Sequence, residues 1–121
     1  MKNVVVVEDN AAIRKLFCML IKKHGYEVSD FGNGDSALKE LAVLKPDLMV
    51  LDILLPDING TDLIEKIRAI PHCANVPAIA VTGFATEQDA AKFKELGFNG
   101  YLAKPINTYV FVAEIKKHIN Q

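Results

Sequence analysis

The sequence predicts a doubly wound α/β fold, a (βα)₅ chain with a five-stranded parallel sheet between two layers of helices. The chain has 121 residues, half of them apolar and 24% charged, which is the size and balance of one domain with its own core. Short, continuously apolar runs recur along it, as in strands buried on both faces of a parallel sheet. Between these runs lie segments with apolar residues at helical spacing. Strict alternation of the two kinds requires crossover connections, and right-handed crossovers place helices on both faces of the sheet.

Residues 4–7 are the first strand. The helix after it carries Ile13, Leu16, Phe17, Leu20 and Ile21 on one face and stops at Lys22-Lys23-His24-Gly25, cations followed by a glycine. Asp9 or Asn10 is its candidate N-cap. Residues 26–31 are the second strand; they alternate more than the others and include Glu27 and Asp30, as an edge strand does. Ala37, Leu38, Leu41 and Leu44 mark a second helix that ends before Pro46. Residues 48–51 form the third strand, and Leu63, Ile64 and Ile67 a third helix ending before Pro71. The fourth strand is residues 78–81. Its helix begins at Thr86, where Thr86-Glu87-Gln88-Asp89 resembles a capping box, and runs through Phe93 and Leu96 to Gly97. Residues 101–103 are the fifth strand, followed by a helix with Phe111, Val112, Ile115 and Ile119. The order 2-1-3-4-5 is a common one for such a chain, and the sequence alone leaves it open. Residues 1–121 read as a single domain with no linker, repeat or output domain.

The charge balance excludes several partners. With 14 basic and 15 acidic groups the formal charge is −1, which removes the electrostatic case for direct nucleic-acid binding or an anionic membrane. No apolar run reaches the roughly 20 residues of a membrane span, and Lys2 leads into a strand, not a signal peptide. The expected location is the cytoplasm, without membrane insertion. Cys18 and Cys73 do not make a disulfide framework, and His24, His72 and His118 lack the spacing of a zinc site. His72-Cys73 reads as a pair of ordinary loop residues.

In an open parallel sheet, ligands bind beyond the carboxyl ends of the strands. Glu8-Asp9 follow the first strand, Asp52 the third, Thr82-Gly83 the fourth and Lys104-Pro105 the fifth. Asp52 comes after Met49-Val50-Leu51 and should be partly buried, where an unpaired charge is costly. A hard divalent cation relieves three like charges in one pocket, and Mg²⁺ suits two carboxylates and a backbone carbonyl. Lys104, the Thr82 hydroxyl and the Gly83 N–H offer positive charge and donors to phosphoryl oxygens. This set of groups suits phosphoryl transfer to a carboxylate.

The sequence resembles, over its whole length, a two-component response-regulator receiver domain of the stand-alone, chemotaxis-regulator kind. The resemblance is carried by Val7-Glu8-Asp9-Asn10, Lys45-Pro46-Asp47, Leu51-Asp52-Ile53-Leu54-Leu55-Pro56-Asp57, Gly60, Val81-Thr82-Gly83 and Gly100-Tyr101-Leu102-Ala103-Lys104-Pro105. It implies a flavodoxin-like topology in which Asp52 takes a phosphoryl group from a phosphohistidine on a sensor histidine kinase or phosphotransfer protein. It also implies that Asp9 ligates Mg²⁺ directly and Glu8 through water, with Asp52 and the Leu54 carbonyl completing the set and Mn²⁺ able to substitute. Glu8 departs from the aspartate of many members. Lys104 would pair with the phosphoryl group, held by a cis peptide to Pro105. Thr82 and Tyr101 resemble the family's switch pair, although an aromatic on an edge strand also packs there in its own right.

By the same resemblance, Leu54 and Phe84 flank the path of the hydrolytic water. Both are apolar, so the phosphoaspartate should hydrolyse slowly; Phe84 could equally meet a partner or cap its loop. The family's output face includes Lys92, Tyr101, Tyr109 and Lys116. Its kinase-facing surface around the first helix includes Ile13, Arg14 and Phe17, of which Ile13 and Phe17 also belong to the buried stripe. The expected partners are a histidine kinase or phosphotransfer protein and a downstream protein target, with the chain a monomer or weak homodimer. It would not be an enzyme beyond its own phosphoryl transfer and autodephosphorylation.

Three other readings fit these residues less well. A haloacid-dehalogenase phosphohydrolase wants an acid two residues after the nucleophile, where this chain has Leu54. In a flavodoxin-like electron carrier, Glu8-Asp9 would repel the flavin phosphate. A receiver-like module that works without phosphorylation typically loses the acceptor aspartate, the acidic pair or the lysine, and all of these are present here.

Overall fold

The computed structural model describes residues 1–83 and 87–120, without the side chains of Glu87 and Gln88. The elements are β1 (Asn3–Val7), α1 (Ala11–Lys23), β2 (Glu27–Phe31), α2 (Gly34–Leu41), β3 (Leu48–Asp52), α3 (Gly60–Arg68), a 3₁₀ turn (Pro71–Cys73), β4 (Ala78–Thr82), α4 (Glu87–Leu96), β5 (Gly100–Ala103) and α5 (Thr108–Ile119). All strand pairs are parallel, in the order β2-β1-β3-β4-β5. The fold class is the one expected from the sequence, and the strand order, which the sequence alone left open, is the common 2-1-3-4-5.

The three inner strands are buried along nearly their whole length, whereas β2 and β5 are partly exposed. The alternation in β2 is therefore that of an edge. Because successive side chains point to opposite faces, Val5, Val7, Met49, Leu51 and Ala80 pack on one side with Leu41, Leu63, Ile64 and Ile67. Val4, Val6, Leu48, Val50 and Ile79 pack on the other with Phe17, Ile21, Phe111 and Ile115. Phe17 and Phe111 stack with ring centroids 4.4 Å apart, joining α1 to α5. Phe17 is thus a core residue and not part of a docking face, and Ile13 is half-buried against the same cluster.

Asparagine side chains start four of the helices. Asn10, Asn33, Asn59 and Asn107 accept from backbone N–H groups in the first turns of α1, α2, α3 and α5, satisfying donors that the helix itself cannot. Asn10, not Asp9, caps α1, and Asp9 remains exposed at the sheet's rim. Two helices are shorter than their apolar spacing suggested. Helix α2 ends at Leu41, and Leu44 reaches the core from the turn that follows. Helix α3 ends at Arg68, and Pro71 opens the 3₁₀ turn. His72 and Cys73 lie in that turn, with His72 Nε2 2.6 Å from the Leu41 carbonyl and Cys73 fully buried. Read as ordinary loop residues, they instead sit in a 3₁₀ turn that packs against the end of α2. The predicted start of the fourth helix at Thr86 lies outside the described residues.

Strand register delivers the site. Val7 aligns with Leu51, Asp52 with Val81 and Thr82 with Ala103, so Glu8, Asp52, Thr82 and Lys104 emerge at one rim. Immediately beyond Asp52 the chain turns sharply, with Gly60 N donating to Ile53 O at 2.7 Å. A Cβ on Gly60 would sit 2.7 Å from the Ile53 Cα, which is backbone and cannot yield cheaply. Gly60→Ala should therefore cost about 1–3 kcal/mol by forcing this turn open, read as a lower urea midpoint; an unchanged midpoint would show that the turn can relax. No helix among the described residues is long and apolar enough to cross a membrane.

Candidate functional site

The rim gathers three carboxylates around one ammonium. Oxygens of Glu8, Asp9 and Asp52 lie within 4.8 Å of one another. Glu8 is 1% exposed and Asp52 3%, while Asp9 faces solvent. Lys104 Nζ lies 3.3 Å from Asp52 Oδ2 and 3.2 Å from Glu8 Oε1. The backbone N–H of Leu54 donates to Asp52 Oδ1 at 3.1 Å, and that of Asn10 to Glu8 Oε2 at 3.4 Å. Glu8 Oε1 is buried without a well-directed hydrogen bond, despite its closeness to the ammonium.

Among the described residues one cation faces three acids, which leaves the pocket short of positive charge. Burial, followed by the hydrogen bond and charge of Asp52, pushes the Glu8 carboxyl up to about 8, against the pull of Lys104. Burial alone would lower the Lys104 ammonium, but the Asp52 and Glu8 charges outweigh it and raise its pKa. Burial and the neighbouring Asp52 therefore favour the protonated form of Glu8 when no cation is bound. An all-oxygen set with a buried, poorly satisfied carboxylate oxygen fits a hard divalent ion such as Mg²⁺.

The remaining predicted residues fall around this centre. Thr82 is buried at the end of β4 and Gly83 is exposed beside it. Lys104 N donates to Thr82 O at 2.8 Å, and the Lys104-Pro105 peptide is cis. The Leu54 side chain is 65% exposed. Tyr101 is half-exposed on β5, its ring centroid 6.4 Å from that of Phe93 on α4. Phe84 lies outside the described residues. Lys92, Tyr109 and Lys116 are exposed, and a groove of about 490 Å³ is lined by Phe93, Lys94, Tyr101, Val110, Lys117 and His118.

Two residues beside the site were not assigned their structural roles by sequence reasoning. Arg14, read only as part of a docking face, donates through Nη1 to the Glu8 carbonyl at 2.9 Å and pairs with Asp30 at 3.1 Å, holding the end of β1 to β2. Asp57 accepts from Gly34 N at 2.9 Å and Asp35 N at 2.8 Å, joining the loop after β3 to the start of α2. Asp57 was visible within the motif, but no local pattern points to partners this far away along the chain.

Comparison with known proteins agrees with this geometry. The family described as response regulator receiver domain matches residues 4–116. The chain is 36% identical over 118 residues to the polar-differentiation response regulator DivK of Brucella anthropi, covering 98% of this chain and 96% of that one. Among solved structures it resembles the receiver domain of the sensor histidine kinase PA1611 of Pseudomonas aeruginosa, which has a magnesium ion coordinated in its active-site cleft. That match has 27% identity and a TM-score of 0.89, covering 99% of this chain and 98% of the other. The chemotaxis protein CheY4 of Vibrio cholerae shares the fold at 23% identity and a TM-score of 0.91, covering 98% of each chain. With strand order, acidic pocket and sequence in agreement, the chain belongs to the family of two-component response-regulator receiver domains.

Proposed function

We propose that residues 1–121 act as a stand-alone receiver that accepts a phosphoryl group on Asp52 from a phosphohistidine of a sensor kinase or phosphotransfer protein, changing how the chain meets a downstream protein. The observation that carries this is a nearly buried aspartate with an ammonium 3.3 Å away inside a cluster of three carboxylates. In the transfer an Asp52 oxygen attacks phosphorus and the P–N bond breaks, with its electron pair returning to the donor imidazole. Lys104 would neutralise the charge on the phosphoryl oxygens, and the Thr82 hydroxyl and the Gly83 N–H would bond them.

Asp9, Asp52 and the Leu54 carbonyl would hold Mg²⁺, with Glu8 reaching it through water. The ion supplies charge neutralisation for the transferred group, and Mn²⁺ shares its preference for oxygen ligands. Movement of the Thr82 hydroxyl toward the new oxygens would leave room for the Tyr101 ring to turn inward from its half-exposed position. The exposed, apolar Leu54 side chain offers no hydrogen bond to an attacking water, which favours a long-lived phosphoaspartate and no turnover of small phosphate esters. The free cysteines Cys18 and Cys73 suit the reducing cytoplasm, and a monomer or weak homodimer serves this role.

Treatment with acetyl phosphate and Mg²⁺ should add about 80 Da, one phosphoryl group, to the wild-type protein and nothing to Asp52→Ala. No gain in the wild type, or the same gain in Asp52→Ala, would overturn the assignment in favour of a module that works unphosphorylated.

A further inference from the structure

The loop after β3, residues 53–59, is pinched shut at its base. Gly60 N donates to Ile53 O at 2.7 Å, and Leu54 forms an antiparallel bridge with Asn59. Its far end is fastened elsewhere. The two oxygens of Asp57 accept separately from the first two N–H groups of α2, Gly34 N at 2.9 Å and Asp35 N at 2.8 Å. The third N–H, that of Ser36, is taken by the cap residue Asn33 at 2.8 Å. The attachment is also a steric fit, because a Cβ on Gly34 would overlap the Ile58 side chain. The paired N–H groups hold the Asp57 carboxyl below the usual range, as expected at the positive end of a helix.

Leu54 lies within this fastened loop, and its N–H orients the Asp52 carboxylate at 3.1 Å. We propose that Asp57 is a positioning residue for the acceptor site: by anchoring the 53–59 loop on the start of α2 it fixes the Leu54 backbone, and through it Asp52 and the metal-facing carbonyl. The part concerning the metal rests on the function proposed above; the part concerning the Leu54 N–H does not. The residue type matters. Two adjacent donors need two acceptor oxygens, and an asparagine would turn its NH₂ toward one of those donors. Small errors in placement at a reacting group carry large costs in rate and affinity.

The distinguishing control is Asn33→Ala, which removes the other side-chain bond at the same helix start without touching the loop. In the metal-free proteins, backbone amide exchange at Leu54 should accelerate about tenfold in Asp57→Ala and Asp57→Asn, and Mg²⁺ should bind about tenfold more weakly. Asn33→Ala should leave both within about twofold of wild type. The inference is overturned if the Asp57 variants leave Leu54 exchange and Mg²⁺ binding unchanged, or if Asn33→Ala alters both equally, since Asp57 would then be a helix cap and nothing more. Asp57→Asn keeps the side chain's size and serves should Asp57→Ala fail to fold. Absence of Mg²⁺ binding by the wild type would count against the proposed function, while Leu54 exchange would still decide the role of Asp57.

Discussion

Arg68→Ala should destabilise the protein by about 3 kcal/mol and lower its melting temperature by roughly 10 °C. All five hydrogen bonds of this guanidinium among the described residues end on carbonyl oxygens. Nη1 donates to Cys73 O at 2.8 Å and Val76 O at 2.6 Å, Nη2 to Gly97 O at 2.7 Å and Asn99 Oδ1 at 3.3 Å, and Nε to Gly97 O at 3.2 Å. One side chain at the end of α3 thereby satisfies the 3₁₀ turn, the segment entering β4 and the turn between α4 and β5. Truncation strips three backbone carbonyls of a charged donor, each such bond being worth about 1.5–3 kcal/mol. Water can reach this half-buried position and recovers part of the sum. Arg68→Lys should recover less than half, because a single ammonium cannot span the fork that the planar group fills. Urea unfolding with an unchanged slope would measure both variants; a loss under about 1 kcal/mol for the alanine variant would mean that water replaces the arginine.

The metal-free protein should lose stability as pH rises from about 4.5 to about 8, and Mg²⁺ should restore it at the upper end. Glu8 has an ordinary value of 4.5 and is raised to about 8 in the fold, first by burial and then by its hydrogen bond and repulsion with Asp52. Across that interval the native state keeps a proton that the unfolded chain has released, so rising pH favours unfolding. The associated stability is complete below 4.5 and is lost as pH passes through about 8. Asp57 acts at the other end with the opposite sign: its hydrogen bonds to Gly34 and Asp35 lower its carboxyl, so its contribution is present above 3.8 and is lost as the solution becomes more acidic. Melting temperature recorded against pH, with chelator and with Mg²⁺, tests the first effect. Glu8→Gln should flatten the alkaline fall and weaken Mg²⁺ binding, because an amide holds no removable proton and carries no charge. A flat wild-type profile between pH 5 and pH 8 in chelator would show that Glu8 is ionised throughout the interval bounded by its two values.

Legibility in the sequence followed the range of the interaction. Val4 to Val7 are completely or almost completely buried, and their uninterrupted apolar run already suggested a strand covered on both faces. Glu27 and Asp30 marked β2 as an edge, where charged side chains can remain in water. The helix ends were less legible. Leu44 keeps the helical spacing of α2, and its N–H still donates to Glu40 O at 2.7 Å, yet the helix itself ends at Leu41. Arg14 and Phe17 lie three residues apart on α1, but one is held to the Glu8 carbonyl and Asp30 while the other stacks on Phe111.

Which groups stand at the strand ends was determined by the sequence alone. A strand's apolar run and the residue that follows it are local properties, so Glu8, Asp9, Asp52, Thr82 and Lys104 could be placed on one rim before any contact was seen. Only the tertiary structure decided which atoms meet. The ammonium shared by Glu8 and Asp52, the carboxylate of Asp57 on the start of α2 and the carbonyls gathered by Arg68 join segments far apart in the chain. Their geometry depends on sheet register and on how deeply each loop packs, quantities set by the whole core and carried by no single stretch of residues.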